Sequence, residues 1–147
     1  MNEKTKVMYH LARSYEYLLD IDEICSMYDY DLNKVTNSKI SRHAVNMCLV
    51  QIGEHCGKIR DIDKEFYNSS RLYLYKIKGM RDRITHSYGH IDYDIIEKVL
   101  KEDIPYLRKY IEENINHEVL ENPYVLYEME YDDYIEEVNC SYAEPEL

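Results

Sequence analysis

The sequence has no tryptophan, one phenylalanine, three prolines and four glycines. Such a composition suits a helical protein, because glycine and proline are the residues that punctuate strands and tight turns. No run of about 18 apolar residues occurs, so nothing reads as a membrane span, and no secretory leader pattern is present. The four cysteines, Cys25, Cys48, Cys56 and Cys140, match no Cys-x-x-Cys zinc or redox spacing. At 147 residues the chain is one domain by length and buries roughly two thirds of the surface of its unfolded form, so it needs no covalent staple. The expectation is a cytoplasmic protein with reduced, structural thiols, no cofactor, no metal and no membrane.

What the sequence has in excess is tyrosine and acid. Seventeen tyrosines must supply most of the aromatic packing, and the net charge is −11. That charge is unevenly placed. Residues 118–147 hold ten acidic side chains and no Lys or Arg, leaving 18 basic against 19 acidic residues in 1–117. A near-neutral body can present a local basic site, so the total does not exclude a nucleic-acid partner.

Val7, Met8, Leu11, Ala12, Tyr15, Leu18 and Leu19, continuing to Ile24, Cys25 and Tyr28, recur at helical spacing and predict a long first helix. The polar stretch 29–37 ends it. Asn37 or Ser38 can cap a second helix whose apolar face is Ile40, Ala44, Val45, Cys48, Ile52, Cys56 and Ile59. Gly53 and Gly57 on that helix would let another backbone approach closely. After a polar turn around Asn68, Ser69 and Ser70, a third helix runs through Tyr73, Ile77, Met80, Ile84 and Tyr88, with Gly89 just past its end. Asp92 opens a fourth, through Ile95, Ile96, Val99, Leu100, Leu107 and Ile111, kinked or split at Pro105. The predicted fold is all-α: an up-and-down bundle of four to five helices over 1–117, then an acidic, tyrosine-rich C-terminal extension over 118–147.

Within that extension, Asn122-Pro123 has the grammar of a helix start, and Tyr124, Tyr127, Tyr131, Tyr134 and Val138 recur at intervals of three and four. One reading is an acidic helix laying a tyrosine stripe on the bundle, or a partly disordered tail. The other is a mimic of the phosphate backbone that covers a basic site.

Chemistry-bearing side chains concentrate in MRDRITHSYGH, residues 80–90. Arg81 and His86 form an Arg-x4-His pair, but seven arginines and six histidines make one such pair weak evidence. Cations in a final helical turn also interact favourably with the helix dipole, which accounts for Arg83 and His86 without function. Tyr88 can simply continue the core stripe.

The surroundings add specificity. AVNMCLVQIGEHCGKI (44–59) and LYLYKIKGMRDRITHSYGHIDYDIIEKVLKEDIPYL (72–107) contain four ordered elements: Ile52-Gly53-Glu54, Gly79-Met80-Arg81, Arg81-x4-His86-x-Tyr88 and Glu102-Asp103-Ile104-Pro105. Together they resemble the HepT-like branch of the HEPN superfamily, small all-helical ribonuclease toxins. The resemblance covers about residues 38–115, takes in the first helix only by position, and does not extend to the acidic tail from Glu118.

The resemblance implies a HEPN-like bundle acting as an endoribonuclease toxin on an RNA substrate, without metal. His86, an imidazole, suits removal of the 2′-hydroxyl proton, and Arg81, permanently charged, suits the phosphate. The implied products are a 2′,3′-cyclic phosphate and a 5′-hydroxyl. Residues five apart on a helix point about 140° from each other, so one motif does not converge on one phosphate. Family members solve this by dimerising, which implies a C2 homodimer with a composite site. Tyr88 matches the tyrosine that a cognate minimal nucleotidyltransferase-type antitoxin adenylylates, blocking RNA by bulk and charge; core packing or stacking on RNA is its other reading.

Asp82 is either a solvated helix carboxylate or the group that orients His86. Arg83 and His90 are candidates for RNA binding, and Glu54 is either structural or active. His10, His43, His55 and His117 show no ligand spacing, so no metal site is expected. The Met80 and tyrosine stripes read as core rather than as a cofactor box. The alternative function is a non-catalytic HEPN bundle serving as a binding or regulatory module, for which the acidic surface argues.

Overall fold

The computed structural model describes residues 1–128. The expectations for Tyr131, Tyr134, Val138 and Cys140 lie outside the described residues. Those described form α1 (Glu3–Ser26), α2 (Leu32–Asn37), α3 (Lys39–Ile62), α4 (Lys64–Ser69), α5 (Leu74–His86), α6 (Tyr93–Lys98), α7 (Ile104–Asn114), α8 (His117–Glu121) and α9 (Val125–Glu128). No strand occurs among them. The fold is the expected all-α bundle, with α3 central, packed on α1 on one side and α5 on the other, and α7 packed on α1.

The core takes one stripe from each long helix. Val7, Leu11 and Leu18 of α1 meet Leu49, Ile52 and Ile59 of α3, Leu74 and Ile77 of α5, and Leu107 and Ile111 of α7, all essentially inaccessible. Fully burying each such aliphatic side chain contributes roughly 1.5–3 kcal/mol. Past residue 117, Val119 and Leu126 are buried in the same cluster.

Polar stretches that read as turns hold two further helices. Asp31 accepts the Lys34 amide at 3.2 Å and starts α2; Asp63 accepts the Phe66 amide at 2.9 Å and starts α4. Each cap satisfies an otherwise orphan helix donor. Six residues span less than two turns, too few for an apolar period to show. Yet Val35, Phe66 and Tyr67 are buried.

Four details depart from the expected pattern. Ile40, assigned to the apolar face of the second helix, is 84% exposed on the outer side of α3, and Leu19 is 40% exposed on α1. Tyr73 sits before α5 in a left-handed conformation, φ 53°, rather than inside the helix. α5 closes at Ser87, whose amide bonds to the Arg83 carbonyl, and Tyr88–His90 forms a separate 3-10 turn. Gly89 therefore serves in that turn without a positive φ, and Tyr88, 43% exposed, is surface rather than core. Finally, the break expected at Pro105 falls just before it: α6 ends at Lys98 and α7 starts at Ile104, with Pro105 in its first turn. A π turn over Val99–Asp103, with the Ile104 amide on the Val99 carbonyl, takes up one extra residue just before it. The widening accommodates a proline ring that would otherwise crowd the carbonyl four residues back.

Candidate active site

Gly53 governs how α5 lies on α3. A Cβ there would collide with Cβ of Arg81 and come within 2.9 Å of its Cγ, while one at Gly57 would sit 3.5 Å from Cε of Lys78. The missing side chains let α5 settle against α3, as the sequence suggested, and bring Arg81 alongside Glu54.

The Arg81 guanidinium donates through Nε to Glu54 Oε1 at 2.7 Å and through Nη2 to the same oxygen. Its Nη1 donates to Asp82 Oδ1 at 2.9 Å, while Asp82 Oδ2 accepts from Lys78 Nζ at 2.8 Å. Three of the five N–H donors of Arg81 are thereby used, leaving two for a phosphate. The Asp82 and Glu54 carboxylates raise the Arg81 pKa further, and Lys78 and then Arg81 hold Asp82 below its ordinary value. Beside them Gly53, Gly57, Lys58 and Arg60 line a shallow polar cavity of about 200 Å³.

His86 ends α5, exposed to solvent. One oxygen of Asp82 accepts from Arg81 and the other from Lys78, and no hydrogen bond joins this carboxylate to His86 among the described residues. Tyr88 comes next, its hydroxyl against Nδ1 of His43 and its ring stacked on that imidazole at 5.5 Å and 18°. His90 is exposed in the 3-10 turn. Arg83 points elsewhere: it lines a cavity of about 380 Å³ between α5 and the π turn. The sequence motif thus separates into an Arg81 cluster, an exposed His86, a His43–Tyr88 pair and an Arg83 pocket.

Sequence reasoning did not single out His43 or Lys78. His43 lies 45 positions before Tyr88, and only the register of α3 against α5 joins them. Lys78 could have been found from its spacing to Asp82, a favourable i,i+4 pair on a helix. Among the described residues no three His, Cys, Asp or Glu side chains gather to hold a metal ion, and no helix is long and apolar enough to cross a membrane.

The site is thus a clamped arginine and an exposed histidine on one helix of a small all-helical bundle. The chain belongs to the HepT-like ribonuclease family, whose model, described as "Ribonuclease HepT-like", matches residues 16–114. Membership implies an RNA substrate. The chain is similar to three proteins of Methanocaldococcus jannaschii. "Putative RNase MJ0125" is 32% identical over 69% of this chain and 86% of that one. "Putative RNase MJ1380" is 35% identical over 57% of this chain and 75% of that one. "Putative RNase MJ1216" is 32% identical over 68% of this chain and 79% of that one. No solved structure matches.

Proposed function

We propose that this ribonuclease is the endoribonuclease toxin of a cytoplasmic toxin–antitoxin pair, cutting RNA in a composite site that two copies of the chain build together. The observation that carries the reading is the preparation of Arg81: Glu54 and Asp82 fix its guanidinium while two donors stay open. A fixed cation stabilises developing phosphate charge without reorganising at the moment of reaction.

In this mechanism His86 takes the proton of a 2′-hydroxyl, and the freed 2′-oxygen attacks the neighbouring phosphorus. The bond to the 5′-oxygen breaks and that oxygen takes up a proton from solvent, leaving a 2′,3′-cyclic phosphate and a 5′-hydroxyl. Arg81 meets the charge on the non-bridging oxygens. Because Arg81 and His86 diverge by about 140° on α5, the Arg81 of one protomer works with the His86 of its partner. An exposed apolar strip beside the motif supports a two-fold interface. Ile40 is 84% exposed and Met47, seven residues on, 59% exposed, on a line of α3 that ends at Glu54.

Tyr88 is the point at which a nucleotidyltransferase-type antitoxin silences the site. Its exposed hydroxyl attacks the α-phosphorus of ATP, pyrophosphate leaves, and the attached AMP brings bulk and negative charge beside His86. The test is expression and purified cleavage with Tyr88→Phe. The variant is expected to cut RNA and to arrest growth even when the antitoxin is present. Rescue of that variant by the antitoxin to the wild-type extent would refute Tyr88 as the control point, and intact RNA with unmodified wild type would favour a non-catalytic binding module.

A further inference from the structure

The pocket behind Arg83 is separate from the Arg81 cluster. Its volume of about 380 Å³ falls in the range of small-ligand sites. One wall is the π turn, a distortion that is frequently found at functional sites. Tyr75, 52% exposed, stands at its rim with Arg83 and Lys98, and Asp103 lies further in. Neither Arg83 nor Lys98 forms an ion pair among the described residues, and the Asp103 carboxylate makes no hydrogen bond among them.

Gly79, on the α5 side of this pocket, is the telling residue. A glycine inside a helix weakens it, and packing usually explains why one is kept. Gly53 has that explanation; Gly79 does not, since a Cβ there meets nothing within 4 Å. What a side chain at 79 would take up is pocket space.

Helical geometry relates the pocket to the chemistry. Around α5, Arg83 lies about 40° and His86 about 20° from Gly79, whereas Arg81 lies about 160° away. Along the axis His86 is about 10.5 Å beyond Gly79, with Arg83 between them. A strand running past His86 can therefore continue over Arg83 into this pocket.

We propose that the pocket is a base-binding subsite for the RNA strand, taking a guanine whose adjacent N1–H and 2-amino donors pair with the Asp103 carboxylate, while Arg83 and Lys98 hold the flanking phosphates. Tyr75 offers a ring for the base to stack on. A carboxylate accepts two parallel donors, which guanine presents on one edge and adenine does not. Burial raises the Asp103 pKa, as desolvation does for a carboxyl short of partners, while Lys76 and Lys98 pull it down. The inference rests on RNA being the substrate and adds which part of it is read.

The test uses the full chain and short 2′-O-methyl RNAs, which bind but have no 2′-hydroxyl to attack. Wild type is expected to bind a guanine-containing strand at least tenfold more tightly than the same strand with adenine or inosine at that position. Gly79→Leu, which fills the pocket, and Asp103→Asn are each expected to erase the difference, with circular dichroism and melting temperature showing both folded. A preference that persists in Gly79→Leu, or no preference in wild type, overturns the subsite. Tight GMP binding with no base preference in RNA would make the pocket a mononucleotide site instead, and loss of a protein partner with unchanged RNA binding would make it a docking site; either overturns the proposal. Cleavage by wild type with no effect of Gly79→Leu removes the subsite and leaves the ribonuclease, while lost preference in variants of a protein that never cuts RNA does the reverse.

Discussion

Glu54 and Arg81, 27 residues apart, meet where α3 crosses α5, with one carboxylate oxygen accepting from both Nε and Nη2 of the guanidinium. The pair is partly exposed, so its worth to folding is small. Its worth lies in holding the arginine in one orientation. Glu54→Gln should shift the urea midpoint little and lower RNA turnover by on the order of tenfold, as misplaced groups do. Equal, small changes in both would assign Glu54 a structural part only.

The two helix glycines near the site should answer in opposite directions. Gly53→Ala drives a methyl into the Arg81 side chain and forces α3 from α5, an overpacking that costs about 1–3 kcal/mol. Gly79→Ala adds a methyl in open space and gains helix propensity, about 0.5–1 kcal/mol of stability. Thermal or urea unfolding of the two variants measures this directly, and stabilisation by Gly53→Ala would contradict the close crossing.

Acid should act on the fold through His10 and His55. Their Nδ1 atoms lie 2.9 Å apart between α1 and α3, a contact that one shared proton supports and two protons break. Burial, then His10 and Arg13, push His55 down to about 4, and burial followed by Lys58 lowers His10. Between the ordinary histidine value near 6.5 and about 4 the unfolded chain binds more protons, so stability falls as pH drops through that window. His55→Asn should flatten the dependence in urea unfolding measured at several pH values. An unchanged slope would place the acid response elsewhere.

Much of the fold was legible because the long helices repeat their apolar stripe several times. The apolar stripes of α3 and α5 announce Val45, Ile52, Ile77 and Ile84 as core, and so they are. The short helices α2 and α4 were hidden by length, and each is held by one aspartate cap and one or two buried side chains. Ile40 misled because a surface-facing apolar residue at helical spacing looks like core until the neighbouring helices are placed. Of the site, Arg81, Asp82, His86 and Tyr88 stood out in one stretch, and Gly53 hinted at the close crossing. The Glu54 clamp and the His43–Tyr88 pair depend on how α3 and α5 align, which no local pattern encodes.

The composite site is the centre of the account, and subunit mixing tests it most directly. Arg81→Ala and His86→Ala should each be inactive alone. Unfolded and refolded together in equal amounts, they should regain about a quarter of wild-type RNA cleavage, since half of the two-fold dimers are mixed and each holds one intact pair of two. Recovery near that level, with a 2′,3′-cyclic phosphate product, is the predicted result; no recovery from a mixture shown to contain mixed dimers would contradict it.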